Sequence, residues 1–342
     1  MDQPRLRFEK IRLELKHTWG IARGAAEFKE NVLAYYQRDG LTGVGEAGHL
    51  TAAGQTADQT LAGLEKLRPL YEQADPFAYR ALPEQAMRVR EAGAPARAAL
   101  ELALLDWLGQ KWGLPLHRLF GLDPRQAPQT SFSIGLDTPE VMQQKAREAK
   151  DFAILKVKLG GDRDEEIIKA LRAVTRQPIR VDANEGWRDQ ETALRKIQWL
   201  ETQGVELVEQ PLPRAMTAET RWLKERTRLP IIADEAVHTA RDIPALAGAY
   251  SGINVKLMKA GGLIEALRMF EVARAHGLEA MLGCMIETSV AITAAAHLQS
   301  LARWVDLDGN LLLKSDPFTG ATFADGRWTT PAAPGLGVKR AA

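Results

Sequence analysis

The sequence predicts an α/β protein, a TIM-type (β/α)₈ barrel preceded by a small α+β domain. After Pro128, short apolar runs alternate with helix-like stretches eight times within roughly 190 residues, the pattern of a parallel barrel. Before that point, strand-like alternation gives way to helical periodicity, which is typical of an α+β unit. The runs interpreted as barrel strands are 132–135, 154–159, 179–183, 205–210, 231–234, 252–258, 280–284 and 304–312.

The first domain is predicted to open with antiparallel strands. Residues 4–48 carry strand-like runs, and Asp39-Gly40 between two of them is a strong hairpin signal. The Gly/Ala-rich stretch 17–30 is interpreted as a loop long enough to be functional, with Arg23 its most notable residue. Residues 56–120 are then predicted to be mainly helical.

The chain is therefore expected to divide into an α+β domain at 1–120, a catalytic barrel at 121–313 and a segment at 314–342 that packs back on the first domain. An open doubly wound sheet is the alternative to the barrel. It lacks its usual sequence signature, because Gly160-Gly161 follows a strand without a third glycine at the dinucleotide-binding spacing.

Composition narrows the function classes. The 342 residues are 45% hydrophobic and 26% charged, with a net charge of +1, and the basic residues are dispersed, which argues against nucleic acid or anionic lipid as a partner. The charged N-terminus does not resemble a signal peptide, and no apolar run is long enough to span a membrane. The single cysteine, Cys284, cannot form an intramolecular disulfide and is interpreted as a core residue. We therefore expect a cytoplasmic protein that acts on a small molecule.

Two lysines on the second barrel strand are candidate catalytic residues. Lys156 and Lys158 are separated by one residue, so they share a face of the strand. If that face is the barrel interior, each ammonium group should lower the other's pKa, leaving one amine able to accept a proton. The alternative is a solvated strand face. Lys256 falls on the sixth strand, across the barrel, and Lys259 competes for that assignment but is expected in a loop.

Three carboxylates end the third, fourth and fifth predicted strands: Asp182, Glu209 and Asp234. At a barrel mouth they would lie within several ångströms of one another, where each like-charge pair costs on the order of 4 kcal/mol at an effective dielectric of about 20. A cation would offset that repulsion. All-oxygen ligation favours Mg²⁺ over zinc. Taken singly, each acid could instead be an ordinary helix cap.

These residues, in this order, resemble the enolase superfamily and its muconate-lactonizing subgroup. The resemblance covers nearly the whole chain, including Ala96 to Asp106 in the predicted first domain. It implies a capping α+β domain over a modified barrel, with the three carboxylates as Mg²⁺ ligands. It also implies that Lys158 and Lys256 are the acid and base, with Lys156 beside them.

Within the subgroup, Asp306-Leu307-Asp308 resembles the Asp-x-Asp of dipeptide epimerases, which holds the substrate's free α-ammonium group; two carboxylates at a barrel mouth would form such a cation site. Arg23 resembles the cap-loop arginine that receives an acidic side chain. The loop after the seventh strand, which begins with Glu287, also resembles the family's loop, and Glu287 is expected to line the substrate site and shape it rather than react. The resemblance implies epimerisation of an Ala-Glu-like dipeptide by proton transfer between two lysines.

Alternatives stay open at this stage. The same lysines and metal would serve a muconate cycloisomerase or an o-succinylbenzoate synthase, although Asp306 and Asp308 argue against both. A barrel that binds metal without catalysis is the alternative from another class. The six histidines show no metal-ligand spacing, and His49 could line the site. The apolar helix predicted at 96–112 could bury against the barrel or against a second subunit, so a homo-oligomer is also possible.

Overall fold

A computed structural model describes residues 3–21, 24–49 and 54–341. The chain opens with a three-stranded antiparallel sheet in the order β1-β2-β3, formed by β1 (Arg5–Ile21), β2 (Gly24–Arg38) and β3 (Leu41–Ala47). The predicted hairpin turn is confirmed, since Asp39 and Gly40 between β2 and β3 have φ of 50° and 75°. Four helices follow, which confirms the helical prediction: α1 (Ala57–Gln73), α2 (Leu82–Arg88), α3 (Gly93–Trp112) and α4 (Leu116–Leu119).

The prediction of a functional loop at 17–30 is wrong, because the described residues of this stretch form strands. Its described residues extend β1 and β2 into a long hairpin, in which Leu13 pairs with Lys29 and Trp19 pairs with Ala26. Gly20 has a packing reason, because a Cβ there would lie 2.1 Å from the carbonyl oxygen of Leu136. At that position a glycine that suggests a loop instead permits close approach of two backbones. Arg23 lies outside the described residues.

Helix α3 fixes the first sheet to the rest of the chain. A Cβ at Gly45 of β3 would lie 2.0 Å from the carbonyl oxygen of Ala99, so glycine is needed where sheet and helix touch. The carboxylate of Glu101, also on α3, accepts a hydrogen bond of 2.9 Å from the backbone N–H of Ile264. This apolar helix was expected to pack either against the barrel or against a second subunit. The structure shows it packed against the first sheet and in contact with the barrel domain.

The predicted barrel is confirmed. Eight strands pair in parallel in the order β11-β10-β9-β8-β7-β6-β5-β4, and a parallel bridge between Thr130 and Val305 joins the two edges. The strands are β4 (Ser131–Ile134), β5 (Ile154–Lys158), β6 (Ile179–Asp182), β7 (Val205–Glu209), β8 (Ile231–Ala233), β9 (Gly252–Lys256), β10 (Glu279–Gly283) and β11 (Trp304–Asp306). The helices between and after them are α5 (Pro139–Glu148), α6 (Asp164–Arg172), α7 (Gln190–Thr202), α8 (Thr217–Lys224), α9 (Ile243–Leu246), α10 (Leu257–Ala260), α11 (Leu263–Ala275) and α12 (Ser289–Ala296).

All eight barrel strands end earlier than predicted, six of them by one residue. The sixth ends two residues early, at Lys256, where the chain turns directly into α10, and the eighth ends six residues early, at Asp306. Asp308 therefore lies beyond the strand rather than on it. Among the described residues, no helix has both the length and the apolar content needed to cross a membrane.

The C-terminal residues form short strands and touch both parts of the fold. They are β12 (Phe318–Thr319), β13 (Thr322–Ala324), β14 (Arg327–Thr329) and β15 (Lys339–Arg340). The backbone N–H of Leu336 donates to Asp106 of α3 at 2.7 Å, and its carbonyl oxygen lies 3.2 Å from Nε2 of the buried His297. Nδ1 of His297 lies 3.1 Å from Nδ1 of His117. The boundaries of the three-part division stay a prediction.

Candidate active site

The two lysines of β5 point into the barrel, as predicted. Lys156 and Lys158 are 1% and 7% exposed, so the alternative of a solvated strand face is wrong. Strand register brings carboxylates beside them, because Lys158 pairs with Asp182 on β6, and Asp182 pairs with Glu209 on β7. Lys256 ends β9, four strands from β5 in an eight-stranded ring, and thus faces Lys158 across the barrel.

Asp182, Glu209 and Asp234 converge as predicted. Each offers an oxygen, and these atoms all lie within 4.8 Å of one another. The side chains are 0%, 0% and 4% exposed, and Nδ2 of Asn254 donates to Oε1 of Glu209 at 2.7 Å, which fixes its orientation. A buried set of three carboxylates with all-oxygen donors fits Mg²⁺, and the residues present match that ion.

Each lysine forms ion pairs with this triad or with its neighbours. Nζ of Lys156 lies 2.7 Å from Glu209, 2.7 Å from Asp306 and 3.3 Å from Asp182. Nζ of Lys158 lies 2.6 Å from the same Asp182 oxygen. On the far side, Nζ of Lys256 lies 2.7 Å from Asp234. The candidate acid–base groups are thus each held against a candidate metal ligand.

The predicted fall in the pKa of the β5 lysine pair is wrong for Lys156. Burial by itself would lower the pKa of Lys156, but the charges of Asp306, Glu209 and Asp182 outweigh it and hold that pKa well above its usual range. The same holds for Lys256. Burial lowers its pKa, but the charges of Asp234 and Glu209 raise it by more, so the net change is upward. On its own strand Lys156 has only a neighbouring ammonium group, which would lower its pKa, whereas the carboxylates that raise it come from other strands.

Lys259, expected in a loop, lies on α10 and is 6% exposed. Its Nζ contacts both the carboxylate and the carbonyl oxygen of Asp234 at 2.5 Å and the carbonyl oxygen of Val237 at 3.1 Å. Asp234 is therefore shared between Lys256 and Lys259. The missed signal is the Lys-x-x-Lys spacing, which places both lysines near one point only if the chain turns into a helix at Lys256.

The turn after β7 positions Asp234. Gln210 has φ of 37°, and its Oε1 accepts hydrogen bonds from the backbone N–H groups of Asp234 at 2.9 Å and Ala236 at 3.1 Å. Its Nε2 donates to the hydroxyl of Tyr250 at 3.0 Å. Gln210 thus has a left-handed backbone conformation, and both its amide oxygen and its amide nitrogen are hydrogen-bonded, which holds the backbone of Asp234 in place. Nothing in the sequence identified this residue.

Asp306 and Asp308 meet at the edge of the same cavity, as the Asp-x-Asp interpretation requires. Asp306 accepts a hydrogen bond from the Ser131 hydroxyl at 2.8 Å, and Asp308 accepts one from the Ser133 backbone N–H at 2.6 Å. Burial raises the pKa of Asp308 to about 7, with a further contribution from the Asp306 charge. Burial also raises the pKa of Asp306, but Lys156 more than reverses this and holds it below its usual value.

The cavity above these residues measures about 190 Å³, and the first sheet supplies its roof. Trp19 lies over Lys158, with 6.0 Å between Nζ and the ring centroid. The loop and helix ends of the barrel supply most of the remaining wall. The lining is Trp19, Lys29, Asn31, His49, Ser133, Lys156, Lys158, Asn184, Arg214, Asp234, Glu235, His238, Lys256, Lys259, Cys284, Met285, Ile286, Asp306, Asp308, Gly309 and Leu312.

Two of three other residues singled out in the sequence line this cavity. His49 lines it, as one alternative allowed. Cys284, expected in the core, is half-buried on the cavity wall. Glu287 is buried but is not part of the lining; burial and the nearby charge of Glu46 raise its pKa to about 8.

Glu46 of β3 secures that wall from behind. Its carboxylate accepts hydrogen bonds from the Thr288 hydroxyl at 2.6 Å, the Thr288 backbone N–H at 2.9 Å and Nδ2 of Asn31 at 2.8 Å. Asn31 also donates to the carbonyl oxygen of Ile286 at 3.0 Å, so two residues of the first sheet are hydrogen-bonded to the loop after β10. No sequence signal pointed to Glu46.

Family models decide the relationship. The model described as "Enolase C-terminal domain-like" matches residues 140–341, and the one described as "Mandelate racemase / muconate lactonizing enzyme, N-terminal domain" matches residues 12–121. The chain belongs to the mandelate racemase/muconate lactonizing enzyme family. The resemblance noted in the sequence is thereby confirmed.

Similar members of the mandelate racemase/muconate lactonizing enzyme family are dipeptide epimerases. An L-Ala-D/L-Glu epimerase of Bacteroides thetaiotaomicron is 38% identical over 337 residues, 98% of this chain and 88% of that protein. The substrate-liganded L-Ala-D/L-Glu epimerase of Bacillus subtilis superposes with a TM-score of 0.92 at 33% identity, covering 100% of both chains. A dipeptide epimerase of Enterococcus faecalis, complexed with Mg and L-Leu-L-Tyr, gives a TM-score of 0.91 at 33% identity over 99% of each chain.

Proposed function

We propose that this protein is an Mg²⁺-dependent epimerase that inverts the α-carbon of the second residue of a dipeptide, with an Ala-Glu-like substrate. The observation that carries the proposal is the placement of Lys158 and Lys256 on opposite sides of a carboxylate triad, within one cavity that also holds Asp306 and Asp308. Two amines on opposite faces of one carbon are what a 1,1-proton transfer needs.

Asp182, Glu209 and Asp234 would hold the metal. When bound there, Mg²⁺ supplies positive charge that stabilises the negative charge developing on the substrate carboxylate as the α-proton leaves. Lys259, paired with Asp234, and Asn254, bonded to Glu209, orient two of the three ligands.

Lys158 and Lys256 act as the acid–base pair in this proposal. One amine, in its neutral form, takes the α-proton from one face, and the ammonium group of the other returns a proton to the opposite face. Nζ of Lys156 contacts three carboxylates, those of Glu209, Asp306 and Asp182, so Lys156 serves as a fixed cation beside the reacting group rather than as the base. Trp19 covers Lys158 and limits access of water.

Asp306 and Asp308 would bind the α-ammonium group of the first residue. Their backbone and hydroxyl donors, Ser133 and Ser131, hold both carboxylates at the cavity edge. A cation site of this kind favours a free dipeptide over muconate or a succinylbenzoate precursor, neither of which offers a positive charge. The relative from Bacteroides thetaiotaomicron is named an L-Ala-D/L-Glu epimerase, and the one from Enterococcus faecalis is complexed with L-Leu-L-Tyr, so both side chains of the dipeptide differ between these relatives.

Arg23 lies outside the described residues, and its role as a contact for an acidic side chain stays a prediction from the sequence alone. Glu287 is proposed to shape the cavity through the loop it shares with Thr288. We further propose a cytoplasmic location, supported by the single free cysteine. A homo-oligomer stays a prediction, which size-exclusion chromatography with light scattering would test.

The proposal is tested by proton NMR of L-Ala-L-Glu incubated with the enzyme in D₂O, with Mg²⁺ and with excess EDTA. Mg²⁺-dependent appearance of L-Ala-D-Glu is the expected result. If no member of a dipeptide library with acidic, apolar and basic second residues is epimerised, the epimerase proposal is wrong. Activity on a muconate or succinylbenzoate-type substrate would then identify a different family reaction, and Mg²⁺ binding without turnover would identify a non-catalytic barrel.

A further inference from the structure

One cation of the cavity has no carboxylate partner among the described residues. Lys156, Lys158, Lys256 and Lys259 are all ion-paired within the barrel, and Arg214 is paired with Glu185 at 3.0 Å. Lys29 lines the same cavity and is half-buried, yet it forms no ion pair or hydrogen bond with any described residue. Burial alone perturbs its pKa, which is lowered.

The hairpin fixes where Lys29 points. In antiparallel pairs, directly opposed residues lie on the same face of the sheet, and Lys29 is opposed to Leu13. Leu13 is 2% exposed and packs with Ile286 and Leu313, on the barrel side of the sheet. The Lys29 side chain therefore descends from the roof toward the mouth of the barrel.

The other contacts proposed for the substrate leave one direction for the second side chain. Around its α-carbon, the hydrogen faces Lys158 or Lys256, the carboxylate faces the triad, and the amide leads to Asp306 and Asp308. The fourth substituent must then extend away from the barrel floor, toward the roof. Trp19, Lys29, Asn31 and His49 form that roof.

We propose that Lys29 is a specificity-determining residue that receives the side-chain carboxylate of the second residue. This inference rests on the proposed epimerase function and deepens it by assigning the acidic-side-chain preference to the roof strand β2. A partly desolvated ammonium group gains most from an anionic partner, because burial has weakened its hydration without supplying a countercharge. His49 lies beside it, and burial together with the Lys29 charge lowers the pKa of His49. His49 therefore stays neutral and leaves Lys29 as the charged group.

The test compares L-Ala-L-Glu with its neutral isostere L-Ala-L-Gln in the wild-type enzyme and in Lys29→Met. The wild-type enzyme should prefer Glu. The substitution should reduce kcat/KM for L-Ala-L-Glu roughly 10- to 100-fold, mainly through KM, and change that for L-Ala-L-Gln by less than about threefold. Lys29→Glu should raise kcat/KM for L-Ala-L-Lys. Lys10→Met is the matched control, because Lys10 lies on the same hairpin but pairs with Asp58 outside the cavity.

Other outcomes overturn the inference. Equal losses for Glu and Gln in Lys29→Met would indicate a structural role. If Lys29→Met keeps the wild-type preference for L-Ala-L-Glu over L-Ala-L-Gln and Arg23→Met loses it, the side-chain carboxylate is recognised by Arg23 instead. If the wild-type enzyme epimerises neither these dipeptides nor any other, the proposed function is wrong and the inference is wrong with it. If the enzyme is active but its preference for Glu over Gln is the same in Lys29→Met, only the inference about Lys29 is wrong.

Discussion

Replacing either lysine of the acid–base pair should separate the two halves of the proton transfer. Methionine is the substitution of choice, because it keeps an unbranched side chain of similar volume and removes the amine. Lys256→Met leaves Asp234 paired with Lys259, and Lys158→Met leaves Asp182 paired with Lys156 at 3.3 Å. In each variant the buried carboxylate therefore keeps one ion pair. We expect the free energy of unfolding to fall by about 1–3 kcal/mol, less than the usual cost of breaking a buried ion pair.

The catalytic loss should be larger. A positioned general acid or base contributes about 10²- to 10⁴-fold, which corresponds to about 2.7–5.4 kcal/mol of transition-state stabilisation. Epimerisation needs both lysines, so each variant should lose it by at least this factor. Exchange with solvent needs only one amine, which can remove a proton and return a deuteron to the same face. Each variant should therefore retain exchange with one diastereomer.

The assay follows loss of the α-proton signal of L-Ala-L-Glu and L-Ala-D-Glu separately in D₂O with Mg²⁺. Because Lys158 and Lys256 lie on opposite sides of the barrel, the two variants should retain exchange with opposite diastereomers. Loss of exchange with the same diastereomer in both variants would refute the two-face arrangement. Calorimetric titration with Mg²⁺ and a thermal melt verify that each variant still binds metal and folds.

Three further predictions concern the ammonium site, a domain contact and a buried histidine. Because burial raises the pKa of Asp308 to about 7, kcat/KM for a free dipeptide should fall as pH decreases through about 7, and Asp308→Asn should remove that limb of the profile. Gly262→Ala should lower the free energy of unfolding in urea by about 2–4 kcal/mol, since Gly262 has φ of 139° and a Cβ there would lie 2.2 Å from Glu101. Gly277→Ala, with φ of 68° and open space around its Cβ, should cost only about 1 kcal/mol. Burial lowers the pKa of His297 from 6.5 to about 4, so between these pH values the unfolded chain binds more protons than the folded one. The free energy of unfolding should therefore fall by up to about 3 kcal/mol as the pH is lowered from 6.5 to 4. Urea titrations of His297→Gln should show a weaker pH dependence.

The barrel was predictable from the sequence because its strands are buried on both faces. Such strands appear as short apolar runs, and a charge inside one, such as Lys156 or Asp182, needs a partner from another strand. The spacing of those charges at successive strand ends therefore predicted that the three carboxylates and the facing lysines lie close together in the barrel.

What the sequence could not supply depends on contacts between distant segments. The pKa of Lys156 is set by carboxylates from β6, β7 and β11, and its own strand shows only a second lysine. The stretch 17–30 reads as a loop because Gly20 is small, whereas the small size serves a backbone contact with Leu136. Lys259 reaches Asp234 only because the sixth strand stops at Lys256, a boundary that apolar periodicity placed two residues later.

The most direct test of the central claim is the position of deuterium in recovered dipeptide. After incubation of L-Ala-L-Glu with enzyme and Mg²⁺ in D₂O, tandem mass spectrometry should find one deuterium, on the α-carbon of the second residue, in the L-Ala-D-Glu product. Deuterium on the first residue, or product without deuterium, would contradict the assignment of the reacting carbon to the space between Lys158 and Lys256.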